Sequence, residues 1–197
     1  ARMFFCIVLV HKLEIQCFDV PKAYCHGILP TGPTEPSFFM RLPSQYPVLG
    51  RPTVDENGRP LVFEITGNLY GLIRAGNTWW EYKKSWLLND MNFDQSVINP
   101  CVFHQYWDEP YWCPVLQITY PAGQQGHIVL YVDNDMSGFT KPSDPNDTHN
   151  MLSWFTIRFK QKFGVSDAGA DDELNAFIGM SYSQAQNAIS ICCPTAR

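Results

Sequence analysis

The segment HIVLYVDNDMSGF, from His127 to Phe139, says most about the fold, because it places an acidic turn between two apolar arms. Its β-branched and aromatic residues favour a strand that ends at the acid. Side chains alternate along a strand, so Tyr131 and Asp133 share one face while Leu130 and Val132 share the other. The segment therefore predicts a hairpin that packs one face and presents an acid on the other.

A second stretch, QCFDVPKAYCHG from Gln16 to Gly27, also ends an apolar run on an aspartate, Asp19. Two carboxylates about 4 Å apart repel by about 4 kcal/mol at an effective dielectric near 20. Acids that two strands bring together are therefore typical of a two-metal phosphoryl-transfer site. A simpler interpretation remains open, in which Asp133, Asn134 and Asp135 are ordinary turn residues.

Length and composition predict one domain over residues 1–197, which begins with Ala1 and is expected to be a piece of a longer protein. The net charge of −5 with 14 Lys plus Arg argues against a self-sufficient nucleic-acid binder. No apolar run reaches the length of a membrane helix, so no membrane span is expected. Seven cysteines without a C-x-x-C pair indicate reduced thiols and an intracellular protein, cytoplasmic or nuclear.

Hydrophobic patterns predict strands at Met3–Val10 and Leu13–Val20 and a helix from Asn77 to Asp90. A second helix is expected to begin with Asp144 as its cap and to end at Gly164. Residues 28–60 are rich in Pro and Gly and predict an exposed, loop-rich excursion. The predicted fold class is α+β, an antiparallel sheet with helices packed on one face.

Trp79, Lys83, Trp86 and Asp90 share one face of the first predicted helix. A Trp stripe at this spacing is typical of a core, and a base-stacking platform is the alternative.

Six short blocks follow one another in the chain: DVPKAYCHG (19–27), FMRLP (39–43), LYGLIRAGNTW (69–79), YVDND (131–135), KFGVSDAG (162–169) and FIGM (177–180). In this order and at these separations, the blocks resemble the reverse transcriptase domain of copia-type retrotransposons over nearly the whole chain. The resemblance implies a polymerase palm with part of a fingers subdomain. Its activity would be RNA-directed DNA synthesis on an RNA template with a DNA primer and deoxynucleoside triphosphates.

The resemblance also assigns roles to residues. Asp19 and Asp133 match the catalytic aspartates that hold two Mg²⁺ ions, for which Mn²⁺ can substitute. Tyr24 matches an aromatic beneath the nucleotide sugar, although it also fits an ordinary strand aromatic. Lys22 follows Pro21 where the family usually has Lys-Thr, and it could reach the triphosphate. Arg74 stands where the family has a Gln near the nucleotide; it could bind a phosphate, and a solvated Arg at a helix start is the alternative.

One departure from the family pattern bears on activity, because Asn134 stands where the family has its second turn acid. Asp135 becomes a metal-ligand candidate if the turn shifts by one residue, which strand alternation opposes. An alternative function follows, a catalytically inactive domain that serves as a structural or protein-interaction subunit with other protein subunits as partners. The aromatic-rich stretch Gln105–Tyr120 would then form the exposed contact surface.

Overall fold

A computed structural model describes residues 2–30, 37–41, 52–132, 134–144, 146–164, 176–177, 180–185 and 188–192. The chain divides into two compact units. The first, here called the sheet unit, comprises Ala1–Ala23 and Lys83–Arg197. The second, here called the hairpin unit, comprises Tyr24–Tyr82.

The sheet unit is built on a five-stranded sheet, whose strands are β1 (Leu13–Asp19), β4 (Asp94–Gln95), β5 (Val102–Trp107), β8 (Gln124–Tyr131) and β9 (Asn134–Thr140). Their order in the sheet is β1-β9-β8-β5-β4, and every neighbouring pair is antiparallel. With the helices described below, this architecture confirms the predicted α+β class with an antiparallel sheet.

One face of the sheet is covered by helix α4 (Met151–Phe163). Phe18 of β1 packs against Phe155 and Phe159, with ring centroids 5.2 and 4.8 Å apart, and Phe139 of β9 also contacts Phe155. The helix ends at Gly164, as predicted, where a φ of 65° suits a residue without a side chain.

The predicted start of α4 at Asp144 is wrong. Asn150 caps the helix, and its Oδ1 accepts a hydrogen bond from the Ser153 backbone N–H at 2.8 Å. Asp144 instead accepts a hydrogen bond from the Asn146 N–H in a local turn, because Asp favours turns and helix caps for the same reason.

Helix α3 (Ala75–Ser85) continues into one π-helical turn, Trp86–Asp90, which agrees with the helix predicted from Asn77 to Asp90. The division between the two units falls inside α3. Trp79, Lys83 and Trp86 are all buried, which confirms the core interpretation of the Trp stripe, whereas Asp90 at the end of the same face is exposed. Within the sheet unit, Trp86 packs against the α4 rings of Phe155, Phe159 and Phe163.

The predicted strand at Met3–Val10 is wrong, because Arg2–His11 forms helix α1. Phe4, Phe5 and Val8 are buried on one side of this helix, in a cluster with Leu13, Ile15, Cys17 and Met136. By strand alternation, these β1 and β9 residues lie on the sheet face opposite Phe18 and Phe139. The expectation that helices pack on one face is therefore also wrong: α4 and α1 cover opposite faces.

Further strands complete the sheet unit. A two-stranded pair, β6 (Tyr111–Cys113) with β7 (Ile118–Tyr120), lies between β5 and β8 in the chain. A three-stranded sheet contains β10 (Ala176–Phe177), β11 (Met180–Ala185) and β12 (Ala188–Cys192).

The hairpin unit contains most of α2 (Ala23–His26), together with β2 (Phe38–Arg41) and β3 (Val62–Ile65); Ala23 itself ends the first segment of the sheet unit. Strands β2 and β3 pair antiparallel, and Ile28 forms an isolated bridge with Gly67. The described residues of the 28–60 excursion are mostly exposed; residues 31–36 and 42–51 lie outside the described part.

Candidate functional site

Strands β1 and β9 bring the two acidic motifs together, although about 115 residues separate them in the chain. The antiparallel register pairs Leu13 with Thr140 at one end and Asp19 with Asn134 at the other. Position 134 is also paired with Tyr131 of β8. Directly opposed residues share a face, so Asp19 and Tyr131 lie on the same face, at the same end of the sheet.

This end of the sheet is accessible to solvent. Asp19 is exposed, and Tyr131 is 51% exposed. The cluster beneath α1 begins two residues earlier along the strand, at Cys17 and Met136. The Asp19 carboxylate therefore lies beyond the helix-covered part of this face, where an ion or a substrate can reach it.

The turn between β8 and β9 has an unusual backbone. Tyr131 ends one strand and Asn134 begins the next, which leaves a two-residue loop, and its first residue, Val132, has a φ of 54°. A positive φ is an outlier for a β-branched residue and costs about 1–3 kcal/mol. Such strain is concentrated at functional sites. The next residue is Asp133, the predicted catalytic acid, which lies outside the described residues.

Asp135, the third predicted metal ligand, lies on the other face of the sheet. It is paired with Phe18 and Leu130, and its side chain is 1% exposed. Its Oδ2 lies 2.5 Å from Nζ of Lys83, which is equally buried. The structure thus brings Asp135 together with a lysine under the helices and does not bring it together with Asp19.

The three predicted nucleotide-contacting residues are divided between the units. Lys22, in the sheet unit, is exposed and has a φ of 56° directly after Pro21. Tyr24, in the hairpin unit, lies on α2 instead of a strand, and its ring centroid is 4.8 Å from that of Tyr70. Arg74 is exposed before α3, and its carbonyl accepts a hydrogen bond from the Thr78 N–H.

The donor chemistry fits a hard cation, because an exposed carboxylate such as that of Asp19 is the kind of ligand that Mg²⁺ takes. Among the described residues, which exclude Asp133, no group of three or more His, Cys, Asp or Glu side chains is arranged to hold a metal ion. Asp133 is therefore the residue on which a shared metal site depends.

A histidine cluster on the α1-covered face was not predicted. The His127 ring lies 6.4 Å from that of His104 and 6.1 Å from that of His11, and the Gln125 side chain hydrogen-bonds to His127 and His11. Burial, together with repulsion from His104 and His11, lowers the pKa of His127 to about 4. These histidines meet through strand register and through α1, which a pattern along one segment does not show.

The role of Lys83 as the partner of a buried acid was not predicted. A lysine on an otherwise apolar helix face is itself a signal that a buried acid will pair with it, since isolated buried charges are rarely tolerated. Its partner, Asp135, is 52 residues further along the chain.

In the part of the chain that the structure describes, no helix is long and apolar enough to cross a membrane. Comparison of the chain with protein-family models, with curated proteins and with solved structures finds no match.

Proposed function

We propose that this chain is the palm, with part of the fingers, of an RNA-directed DNA polymerase that resembles those of copia-type retroelements. The supporting observation is the pairing of Asp19 with Asn134 at the ends of β1 and β9. The palm hypothesis requires motifs 19–27 and 131–135 to meet at one end of an antiparallel sheet. A chain with unrelated motifs has no reason to satisfy this requirement.

In this proposal, Asp19 and Asp133 hold two Mg²⁺ ions, or Mn²⁺ in their place. The ions would lower the pKa of the primer hydroxyl and stabilise charge on the triphosphate. Val132, with its strained positive φ, directly precedes Asp133 in the chain, and such strain is concentrated at functional sites. Asn134 is neutral, whereas a third carboxylate at this position would strengthen the binding of the cations. We therefore expect weak metal affinity.

Lys22, Tyr24 and Arg74 are proposed to contact the nucleotide. Lys22 and Arg74 are exposed cations, which suits phosphate binding, and the guanidinium of Arg74 can donate two parallel hydrogen bonds. Tyr24 is half-buried against Tyr70, which leaves part of its ring to contact a sugar. Its bulk would favour deoxynucleotides, because a ribonucleotide carries an additional 2′-hydroxyl. An intracellular location is part of the same proposal.

Primer extension tests the activity. The chain is incubated with a DNA-primed RNA template and deoxynucleotides, with Mg²⁺ or Mn²⁺, beside Asp19→Asn, Asn134→Asp and the matched control Glu14→Gln on the same strand. We expect Asp19→Asn to abolish incorporation, Asn134→Asp to increase it, and Glu14→Gln to leave it unchanged. Extension that survives Asp19→Asn, or no extension by any folded variant, would contradict the proposed activity.

A second candidate is an inactive domain that binds other protein subunits. Two exposed apolar side chains between β5 and β8 favour it, Trp112 at 55% exposure and Val115 at 57%. The exposed aromatic surface predicted for Gln105–Tyr120 is only partly present, however, because Trp107 and Tyr120 are buried in the sheet unit. Loss of a co-purifying subunit in Trp112→Ser, with primer extension absent throughout, would favour this candidate over the polymerase.

A further inference from the structure

A buried asparagine joins several segments of the hairpin unit. Asn68 is 1% exposed, although asparagine side chains are mostly exposed in proteins. Its Nδ2 donates hydrogen bonds to the Ala75 carbonyl at 3.0 Å and to the Thr78 Oγ1 at 2.7 Å, and both acceptors belong to the first turn of α3. The Asn68 side chain therefore fastens the segment that precedes α3 to the start of that helix.

Thr78 extends this network to the backbone of Arg74. Its hydroxyl accepts from Asn68 and can donate to the carbonyl of Arg74 or of Ala75, each of which lies 3.1 Å away. The Thr78 backbone N–H also donates to the Arg74 carbonyl, at 2.9 Å. The network thus holds the Arg74 backbone, while the Arg74 side chain is exposed.

Helix α2 approaches the same network at Gly27, the residue that follows it. A Cβ at this position would lie 2.9 Å from Asn68 Nδ2, 2.9 Å from the Trp79 backbone nitrogen and 3.0 Å from Thr78 Oγ1. Real Cβ atoms do not approach other atoms at the first two of these distances, so the close approach requires glycine. The end of α2 and the start of α3 therefore meet at the Asn68 side chain.

The two proposed nucleotide contacts of the hairpin unit lie on the segments that meet there. Tyr24 lies on α2, three residues before Gly27, and its ring centroid is 4.8 Å from that of Tyr70. Tyr70 follows Asn68 by two residues, and Arg74 ends the same loop directly before α3. A displacement of Asn68 would therefore change the position of Tyr24 relative to Arg74.

We propose that Asn68 is a positioning residue, which fixes Tyr24 and Arg74 relative to each other so that both contact one deoxynucleoside triphosphate. Asn68 would not touch the nucleotide, because it acts through the Ala75 carbonyl and the Thr78 hydroxyl. A site that is ordered before its ligand arrives loses less binding free energy on association. This inference rests on the proposed function and adds the residue that organises its nucleotide contacts.

Primer extension with separate values of KM and kcat distinguishes positioning from a purely structural role. Asn68→Ala removes both hydrogen bonds and should raise KM for a deoxynucleotide about tenfold with kcat within about twofold, because the lost binding is shared by the ground state and the transition state. The preference for deoxynucleotides over ribonucleotides should fall about fivefold, since Tyr24 is displaced. A smaller folded fraction alone would lower the apparent kcat and leave KM and this preference unchanged.

Thr78 supplies a milder pair of variants, which keeps the test valid should Asn68→Ala fail to fold. Thr78→Val has nearly the same shape without the hydroxyl and should raise KM about fivefold. Thr78→Ser keeps the hydroxyl and should retain the parent KM. The matched control is Asn57→Ala, which removes an exposed asparagine side chain of the same unit and should leave KM unchanged.

NMR follows the same positioning without catalysis. The contact between the Tyr24 and Tyr70 rings gives a nuclear Overhauser effect, which Asn68→Ala and Thr78→Val should weaken and Thr78→Ser and Asn57→Ala should preserve.

Three outcomes separate this inference from the proposed function. A parent protein that extends a primer, with an unchanged KM in Asn68→Ala and Thr78→Val, would overturn the role of Asn68 and leave the polymerase standing. An unchanged ring contact in both variants would overturn that role even where no primer is extended. No extension by the folded parent, together with a weakened ring contact in both variants, would refute the polymerase and still support the positioning of Tyr24 by Asn68.

Discussion

The buried ion pair between Lys83 and Asp135 yields a sharp prediction about stability. Both side chains are 1% exposed, and Nζ and Oδ2 lie 2.5 Å apart. At an effective dielectric near 20, their attraction is about 7 kcal/mol. Desolvation costs several kcal/mol for each ion, so the pair as a whole is close to neutral. Removing one partner keeps the desolvation cost of the other ion and loses the attraction.

We therefore expect Lys83→Met and Asp135→Leu each to lower the free energy of unfolding by about 3–5 kcal/mol. The double variant should be within about 1 kcal/mol of the parent or more stable, because it places apolar side chains beneath α4. The Lys83 Nζ lies 5.6 and 5.9 Å from the Phe159 and Phe163 ring centroids, so those rings can contact the new methionine.

Urea unfolding followed by Trp fluorescence and circular dichroism measures these free energies, and the four proteins form a double-mutant cycle. The matched control is the more exposed pair of Lys162, which is partly buried, and Asp90, which is exposed; the two lie 3.8 Å apart, and Asp90→Asn should cost less than about 1 kcal/mol. If either buried single variant costs under 1 kcal/mol, or if the double variant loses the sum of both, the reasoning about a coupled buried pair is refuted.

Three further predictions concern the sheet unit. The pKa of His127 is about 4 in the folded protein, against 6.5 for an ordinary histidine. As pH falls, this histidine is therefore protonated in the unfolded chain before it is protonated in the folded protein. The free energy of unfolding should therefore fall by up to about 3 kcal/mol as pH drops from 6.5 to 4. His127→Gln should flatten this part of the pH–stability curve. An unchanged slope in this variant would contradict the lowered pKa of His127. Gly126→Ala would place a Cβ 2.7 Å from Phe139 Cε1. We expect it to lower the free energy of unfolding, measured with urea, by about 1–3 kcal/mol. An unchanged urea midpoint would show that Phe139 moves aside freely. Asn150→Ala removes the cap bond to Ser153 and should cost about 1 kcal/mol, with Asn146→Ala nearly neutral as control; equal losses would mean that Asn150 is not the cap.

The β8–β9 hairpin could be predicted because its alternation, its β-branched residues and its turn residues all indicate the same structure. Helix α1 could not, because the run from Met3 to Val10 is continuously apolar and periodicity does not distinguish a buried strand from a helix in such a run. The burial of Phe4, Phe5 and Val8 against the sheet decides for the helix, and that contact is tertiary.

The candidate site was predictable in part. The sequence and the family resemblance singled out Asp19 and the turn at 131–135, and strand pairing places residues 19 and 134 opposite each other. The alternation of side chains along a strand already argued against Asp135 as a second metal ligand beside Asp19. The contact of Asp135 with Lys83 explains why an acid stands at position 135. The two-unit division and the histidine cluster depend on contacts between distant segments, which local patterns do not encode.

Electron paramagnetic resonance of bound Mn²⁺ is the sharpest test of the claim that Asp19 and Asp133 share a cation site, because it does not require catalysis. The claim predicts that Asp19→Asn and Asp133→Asn each abolish the tightest Mn²⁺ binding, that Asn134→Asp strengthens it, and that Glu14→Gln has no effect. Binding that persists after both aspartates are replaced, or that responds to only one of them, would contradict a shared site at the ends of β1 and β9.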